Sequence, residues 1–266
     1  MIEPFLKWAG GKRWLTSSGG LPAPQHFDRY VEPFLGGGAV FFKLQPEVAL
    51  LSDINGELID LYRVVRDAPD ALRERLEGHQ ARHCPEHYYA TRAVVPDSLV
   101  ERAARTLYLN RTCWNGLYRV NRKGEFNVPI GTKTAVVLEA DDFLSIARNL
   151  QNADIRQCDF EETISQTVAG DFLFVDPPYT VRHNMNGFVK YNEKIFTWLD
   201  QVRLYAAVTA AAARGVSVVV TNADHESLRE LYAGNFIYRR LSRSSVLSGL
   251  ATGRGPTTEA MFIANL

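Results

Sequence analysis

The sequence predicts an α/β fold with a mostly parallel sheet, an antiparallel end to that sheet and a helical insertion. Short apolar runs recur along the 266 residues, and several are uninterrupted, as expected of strands that are covered on both faces. Segments with helical periodicity alternate with these runs, except between residues 69 and 138. The last two runs are joined by a Ser-, Gly- and Thr-rich stretch without a helix, which predicts an antiparallel pair.

The individual elements follow from this pattern. Strands are predicted at residues 29–31, 48–51, 155–157, 172–175, 216–221, 236–241 and 260–264. The helices that alternate with them are predicted at 38–44, 57–66 and 198–214. Asn55 is placed to cap the second of these helices, and Thr197 with Asp200 has capping-box spacing at the start of the third.

The helical insertion is predicted to contain helices at 69–78, 86–93 and 98–113, the last with Ser98 and Glu101 as a capping box. It ends in an Arg- and Asn-rich stretch, 114–129, which is predicted to form a loop or hairpin. Between residues 102 and 133 seven basic residues stand against Glu125 alone: Arg102, Arg105, Arg111, Arg119, Arg122, Lys123 and Lys133. This imbalance, in a chain of formal net charge +0, indicates a basic face that suits a polyanion; the alternative is solvated surface.

Composition limits the class of protein. The apolar fraction of 46% and charged fraction of 23% are typical of a globular chain that buries a full core. No apolar run approaches the ~18 residues that span a membrane, and the N-terminus lacks a signal-peptide pattern, so we expect a cytoplasmic protein. Cys84, Cys113 and Cys158 are too widely spaced for a zinc module and odd in number, which predicts reduced thiols and no metal.

The most informative motif is Asp176, Pro177, Pro178 and Tyr179, directly after the predicted strand 172–175. Open α/β sheets bind ligands at the carboxyl ends of their strands. The prolines have no amide hydrogen, so the motif offers carbonyl and carboxylate acceptors, which suit an exocyclic amine. Tyr179 adds a face on which a planar base could stack. The alternative is a strand that ends in a Pro-Pro turn.

A glycine run at the turn from the first strand to the first helix suggests a second site. Gly36, Gly37 and Gly38 would allow a ligand to approach the backbone, and Asp53 ends the next strand where an acid commonly accepts ribose hydroxyls. Glu32 would repel a pyrophosphate, so adenosine without phosphates fits better than a dinucleotide. A plain tight turn is the alternative.

The N-terminal segment FLKWAGGK contains two glycines before Lys12 but lacks the remaining pattern of a phosphate-binding loop. Trp8 is instead placed to cover a cofactor, and Lys12 to hold a carboxylate.

Taken together, the chain resembles the Dam family of DNA adenine N6-methyltransferases (group alpha, D12 class) over nearly its whole length. The motifs that carry the resemblance are FLKWAGGK at 5–12, VEPFLGGG at 31–38, SDINGELIDLY at 52–62, YLNR at 108–111, NGLYRVNRKGEFNVPIG at 115–131 and DPPY at 176–179. The resemblance implies a Rossmann-like S-adenosylmethionine-dependent methyltransferase sheet with an inserted, mainly helical DNA-recognition domain that ends in a hairpin. The catalytic domain would comprise residues 1–55 and 139–266, and the recognition domain residues 56–138.

The resemblance also implies S-adenosylmethionine as cofactor, with S-adenosylhomocysteine as product. The residues expected to bind the cofactor are Trp8, Lys12, Phe34, Gly36, Gly38, Asp53, Ile54, Asp159, Phe160 and Asp176. For Asp159, the alternative is a helix cap. Asp176 and the Pro177 carbonyl would accept the two N6 hydrogens of a flipped-out adenine, Pro178 would keep the turn rigid, and Tyr179 would stack on the base.

Double-stranded DNA is the implied partner. Arg119 would recognise guanine, Leu117 and Pro129 would make apolar base contacts, and Trp114 with Asn115 would enter the duplex. Phosphate contacts are expected from Arg111, Asn121, Arg122, Asn127 and Lys133.

The resemblance implies GATC as the recognition sequence. Residues 132–135 depart from the basic and aromatic run that the family usually shows there, so a related adenine-containing site or relaxed specificity is the alternative. Two alternatives stay open: methylation of another nucleic-acid amine, such as cytosine N4 or RNA adenine, and a non-catalytic DNA-binding protein. We expect a nucleoid-associated monomer, with a dimer as the alternative, and no membrane or metal partner.

Overall fold

A computed structural model describes residues 2–17, 19–116, 118–121, 124–182, 196–244 and 256–266. Within these residues the strands form one seven-stranded sheet with the order β3-β2-β1-β4-β5-β7-β6. The strands are β1 Arg29–Glu32, β2 Ala49–Asp53, β3 Ala153–Gln157, β4 Asp171–Val175, β5 Ser217–Ala223, β6 Ile237–Ser244 and β7 Pro256–Ala264. The sequence therefore located each of these strands correctly to within a few residues.

The pairing of the strands confirms the predicted fold class. β1 lies parallel to β2 and to β4, and β4 lies parallel to β5. β7 is antiparallel to both β5 and β6. The sheet is thus mostly parallel with an antiparallel last strand, as in Rossmann-like methyltransferases.

The helices of the described residues are α1 Arg13–Ser17, α2 Ala39–Leu44, α3 Gly56–Asp67, α4 Pro69–Arg82, α5 Pro85–Ala93, α6 Leu99–Thr112, α7 Phe143–Leu150, α8 Phe160–Ser165, α9 Trp198–Ala213 and α10 Glu226–Tyr232. Two predicted caps are confirmed: Asn55 accepts from the amide of Leu58, and Thr197 with Asp200 forms a capping box. The predicted capping box at Ser98 is wrong, because its side chain makes no capping hydrogen bond. The sequence analysis missed α1, α7, α8 and α10.

The chain divides into two compact units, neither of which is continuous in sequence. The sheet unit comprises residues 14–34, 48–52 and 158–266, and the helical unit comprises residues 1–13, 35–47 and 53–157. The predicted domain boundaries after residues 55 and 138 stay a prediction. No helix within the described ranges is long and apolar enough to span a membrane.

The core of the sheet unit explains why its strands are apolar runs. Every residue of β4 is buried, and β5 is buried at its five central positions. Leu173 and Val220 from these strands belong to one apolar cluster with Leu204 of α9 and Phe262 of β7. Each such side chain stabilises the fold by roughly 1.5–3 kcal/mol relative to an exposed one. The strand β4, which leads directly into residues 176–179, is therefore rigid.

The helical unit is organised around α6, in which every residue from Ala103 to Thr112 is buried. This helix packs against α3 and α4. Because α6 leads directly into Cys113 and the segment that follows, it supplies a fixed base for the predicted hairpin.

Candidate active site

In the helical unit, the glycine loop between β1 and α2 lies against Trp8. Gly36 and Gly38 have positive φ angles of 47° and 63°, which favour glycine. A Cβ atom at Gly36 would stand 2.8 Å from Cδ1 of Trp8, and one at Gly38 would stand 2.8 Å from the hydroxyl oxygen of Tyr62. That hydroxyl also donates to the Gly36 carbonyl at 3.1 Å. The loop can therefore hold its shape only with glycines.

Asp53, the last residue of β2, fixes the other side of this loop. Its Oδ2 accepts from the Gly36 amide at 3.1 Å, and its Oδ1 accepts from the Asn55 amide at 3.0 Å. Burial raises the pKa of Asp53, and the hydrogen bonds from the backbone partly oppose this increase. Each carboxylate oxygen has a second lone pair, so the group can also accept hydrogens from a diol. Ile54, which is 65% exposed, presents an apolar surface next to it.

Lys12 is buried, with 3% of its surface exposed. Its ammonium group donates to the Gly10 carbonyl at 2.8 Å. A buried ammonium group requires polar partners, and the Gly10 carbonyl is one of them. The structure thus brings Trp8, Gly36, Gly38, Asp53 and Ile54 into one part of the helical unit and fixes Lys12 near the start of α1.

In the sheet unit, Asp176 follows β4 and is oriented by a residue of the neighbouring strand. The hydroxyl of Thr221 donates to Oδ1 of Asp176 at 2.7 Å. The hydroxyl of Tyr179 donates to Oε2 of Glu259 at 2.6 Å. Burial raises the pKa of Tyr179, and the charges of Asp176 and Glu259 raise it further, so the side chain remains a neutral phenol. The sequence analysis identified neither Thr221 nor Glu259.

A second pair of a tyrosine and a glutamate, Tyr30 and Glu32, lies buried in β1. The hydroxyl of Tyr30 donates to Oε2 of Glu32 at 2.9 Å, and both residues are buried. Burial raises the pKa of Tyr30, and the Glu32 carboxylate adds to this effect.

Phe34 and Phe160, both expected at the cofactor site, belong to one aromatic cluster of the sheet unit. Their rings stack with centroids 5.4 Å apart, and Phe196 packs edge-on against Phe34. Asp159 caps α8, since its Oδ1 accepts from the Glu161 amide at 2.9 Å. The same oxygen accepts from Arg203 at 3.0 Å. Asp159 therefore caps a helix, which is the alternative to the cofactor contact expected of it.

The predicted hairpin is present in the helical unit. Cys113 and Ile130 form an antiparallel bridge, as do Val120 and Phe126. Two expected duplex-entering residues are solvent-accessible: Trp114 is 54% exposed, and Asn115 is exposed with a φ of 59°. Leu117 and Arg122, expected to contact DNA, lie outside the described residues.

The remaining expected DNA contacts differ in their surroundings. Arg119 is exposed, and its Nε donates to Oδ1 of Asn127 at 3.0 Å. Asn121 holds the turn, because its side chain donates to Glu125 at 2.8 Å. Pro129 and Lys133 are exposed. The ammonium group of Lys133 lowers the pKa of Lys7, which indicates that these two cations lie close together.

The phosphate contact expected of Arg111 requires correction. The side chain is 5% exposed and pairs through Nη1 and Nη2 with both carboxylate oxygens of Asp141, each at 2.6 Å. Nη1 also donates to the Val136 carbonyl and Nη2 to the Phe5 carbonyl. Arg111 therefore joins the N-terminal segment to the loop after the hairpin, and its role is structural.

Cys84, Cys113 and Cys158 form no disulfide within the described residues. In the part of the chain that the structure describes, no group of three or more His, Cys, Asp or Glu side chains is arranged to hold a metal ion.

Comparison with known proteins identifies the family of this chain. Residues 8–246 match the model of the D12 class N6 adenine-specific DNA methyltransferases. The chain belongs to this family. It is 37% identical to the Type II methyltransferase M1.LlaDCHI of Lactococcus lactis subsp. cremoris, over 97% of this chain and 94% of that protein.

Two other relatives agree with this assignment. The Type II methyltransferase M.MjaIII of Methanocaldococcus jannaschii is 34% identical, over 88% of this chain and 89% of the relative. A DNA adenine methylase of Haemophilus influenzae is 35% identical, over 87% of this chain and 83% of the relative. The resemblance predicted from the motifs is confirmed, and with it the class of reaction, methylation of adenine in DNA.

Proposed function

We propose that this chain transfers a methyl group from S-adenosylmethionine to N6 of an adenine that is flipped out of duplex DNA. The observation that carries the proposal is the arrangement at the end of β4. There Asp176 is held by Thr221, and the following two residues, Pro177 and Pro178, have no amide hydrogen. Such a turn accepts hydrogens and donates none from its prolines.

The chemistry follows from the weak nucleophilicity of adenine N6, whose lone pair is delocalised into the ring. Asp176 and the Pro177 carbonyl would each accept one N6 hydrogen and so localise the lone pair on nitrogen. Tyr179 would stack on the extruded base, since N6 is out of reach inside a duplex. The hydrogen bond from Tyr179 to Glu259 keeps the ring in a fixed orientation for this purpose.

The residues of the helical unit suit an adenosine cofactor with a sulfonium methyl donor. The glycine loop holds its backbone close to Trp8, where a Cβ atom would clash, and Asp53 offers acceptors for the ribose hydroxyls. Ile54 and Trp8 supply apolar faces for the adenine and for the ligand as a whole. When bound, the cofactor supplies an electrophilic methyl group, and the protein contributes mainly positioning.

The same proposal assigns sequence reading to the hairpin. Arg119 is exposed and adjacent to the Val120–Phe126 bridge of the hairpin, and an exposed guanidinium can bind guanine bidentately. GATC is the proposed site. Plasmid methylated by the protein should resist a nuclease that cuts only unmethylated GATC. Measurable methyl incorporation with fully cleaved GATC sites would exclude this specificity while leaving the activity intact.

The proposed chemistry is tested by Asp176→Ala. The variant should bind DNA with near-normal affinity and lose nearly all transfer of radiolabelled methyl groups, because the lost acceptor acts mainly in the transition state. Asp200→Ala, which alters a capping carboxylate of α9, serves as a control for general damage. Near-normal turnover of Asp176→Ala would refute the mechanism. Detection of N6-methyladenine in the digested DNA product would identify the amine that is methylated.

A further inference from the structure

Tyr118 lies in the hairpin directly before Arg119, yet its side chain contacts two other segments of the helical unit. Its ring stacks on Trp8, with centroids 5.0 Å apart and planes inclined by 26°. Its hydroxyl donates to Oε2 of Glu57 at 2.9 Å. Burial raises the pKa of Tyr118 and the charge of Glu57 raises it further, so the phenol keeps its hydrogen.

Both contacts lead to the residues proposed to bind the cofactor. Trp8 covers Gly36, where a Cβ atom would stand 2.8 Å from the indole Cδ1. Glu57 lies in the first turn of α3, whose cap, Asn55, donates its amide hydrogen to Asp53. Tyr118 thus reaches the cofactor-binding residues both through Trp8 and through the start of α3.

The anchor on the far side of Glu57 is rigid. Arg105 donates to Oε1 of Glu57 at 3.3 Å and is itself buried. The same guanidinium donates to the carbonyls of Thr91 and Arg92, each at 2.9 Å. Glu57 therefore cannot follow Tyr118 freely, and a shift of the phenol must strain or break the hydrogen bond between them.

Tyr118 is also joined by a peptide bond to Arg119, the residue proposed to recognise guanine. Arg119 is exposed, and its main-chain carbonyl accepts from the amide of Asn127 at 3.1 Å, across the hairpin. Reorientation of Arg119 toward a base acts on Tyr118 through one peptide bond. We infer that Tyr118 is a positioning residue that couples DNA binding at the hairpin to cofactor binding at Trp8 and Asp53.

This inference rests on the proposed function, because it presupposes both ligands. Coupling between two sites is reciprocal, so DNA must tighten cofactor binding by the same factor by which the cofactor tightens DNA binding. Typical couplings lie between about 5-fold and 150-fold. The measurable quantity is therefore a ratio of two affinities rather than either affinity alone.

The test is calorimetric titration of S-adenosylhomocysteine into the full chain, with and without a duplex that the wild-type protein methylates. The wild-type ratio of the two dissociation constants should be about 5 or more. Tyr118→Leu removes both contacts and should bring the ratio close to 1. Tyr118→Phe keeps the ring and loses the Glu57 hydrogen bond, so its ratio should lie in between.

Tyr205→Phe is the matched control. Tyr205 of α9 accepts a hydrogen bond from Asn235 through its hydroxyl, so the change removes one phenol hydroxyl without touching the hairpin contacts described above. Its ratio should equal that of the wild type. If Tyr118→Leu does not fold, as circular dichroism would show, Tyr118→Phe and Glu57→Gln carry the test, each with a ratio reduced at least twofold.

A wild-type ratio near 1, or a ratio in the folded Tyr118 variants equal to that of the wild type, would overturn the inference. A purely structural role would weaken both affinities equally and leave the ratio unchanged, which is the second of these outcomes. The proposed function is judged separately by methyl incorporation in the wild type. A wild-type protein that methylates DNA with a ratio of 1 would retain the function and refute the coupling.

Discussion

Thr221 donates a hydrogen bond of 2.7 Å to the carboxylate of Asp176, and this contact joins the residue that follows β4 to the neighbouring strand β5. β4 and β5 are parallel, with Val175 opposite Val220. Asp176 and Thr221 are the next residues along each chain in this register, so their side chains point to the same face of the sheet, which brings the hydroxyl to the carboxylate. Because Thr221 is fully buried, its hydroxyl gains more from this partner than an exposed one would.

Thr221→Val is the first prediction. The substitution keeps the shape of the side chain and removes the hydrogen bond that orients Asp176. A hydrogen bond to a charged group contributes about 1.5–3 kcal/mol, so kcat for methyl transfer should fall about 10-fold to 100-fold. DNA and cofactor affinities, measured by titration, should change little.

Thr209→Val provides the comparison for this experiment. The Thr209 hydroxyl is buried in α9 and has no hydrogen-bond partner among the described residues, so the same chemical change there should leave kcat near its wild-type value. A Thr221→Val protein with unchanged kcat would show that Asp176 does not depend on this contact.

Asp53 gives a prediction about cofactor affinity and pH. If its carboxylate accepts the ribose hydroxyls, Asp53→Asn should weaken binding of S-adenosylhomocysteine about 10-fold, the loss expected for a hydrogen bond to a charged group. Because burial raises the pKa of Asp53, protonation begins at a higher pH than for an exposed aspartate. Wild-type affinity should therefore decline as the pH falls from 7 toward the raised pKa.

Calorimetry between pH 7.5 and pH 5 checks this expectation. The Asp53→Asn variant lacks the titrating group, so its affinity should vary less with pH than that of the wild type. Asp154→Asn, a change at an exposed carboxylate paired with Arg156, should retain the wild-type profile. Parallel profiles for wild type and Asp53→Asn would refute the assignment.

The sequence predicts strands more reliably than contacts. β4 was located to within one residue because a strand buried on both faces is an apolar run, and the polar Asp176 marks its end. Thr221 and Glu259 were missed because they lie 45 and 80 residues from their partners, and no local pattern records such a pairing. The expected phosphate contact of Arg111 requires correction because neither the motifs nor the charge count shows which basic side chains are buried.

Some elements that the sequence analysis missed have a pattern that can be recognised in the sequence. α7 shows apolar residues at Phe143, Ile146, Ala147 and Leu150, with the helix spacing i, i+3, i+4, i+7, after the capping residue Asp142. That helix could have been predicted. Ser98 shows the opposite failure, since it has the spacing of a capping box but makes no capping bond.

A histidine pair in the helical unit predicts how stability depends on pH. Nδ1 of His79 and Nε2 of His87 lie 2.9 Å apart, and His79 stacks on Tyr108. Burial lowers the pKa of His79 to about 4, with further contributions from the charges of His87 and Arg82. In the unfolded chain the pKa returns to about 6.5.

Between these two values the unfolded chain binds a proton that the folded chain does not. The free energy of unfolding must therefore decrease as the pH falls from about 6.5 toward 4. Urea unfolding at pH 7 and pH 5 should show this loss, and His79→Phe should show a smaller one. His26→Gln, at an exposed histidine outside the pair, should behave as the wild type. An equal loss in His79→Phe and wild type would contradict the explanation.

The last prediction separates a structural role for Arg111 from a contact with DNA. Arg111→Met leaves Asp141 buried without its partner, which should lower the free energy of unfolding by about 3–5 kcal/mol. The double variant Arg111→Met/Asp141→Leu should recover much of this loss, because no unpaired charge remains buried. Glu77→Ala, which removes an exposed i,i+4 ion pair with Arg73, should change stability by less than about 1 kcal/mol.

DNA affinity measured over a range of salt concentrations completes the test of Arg111. Each neutralised phosphate contributes about 0.9 to the slope of log affinity against log salt concentration. A buried Arg111 makes no such contribution, so the slope for folded Arg111→Met should match that of the wild type. A slope reduced by about 0.9, together with unchanged stability, would restore the phosphate contact and refute the structural role.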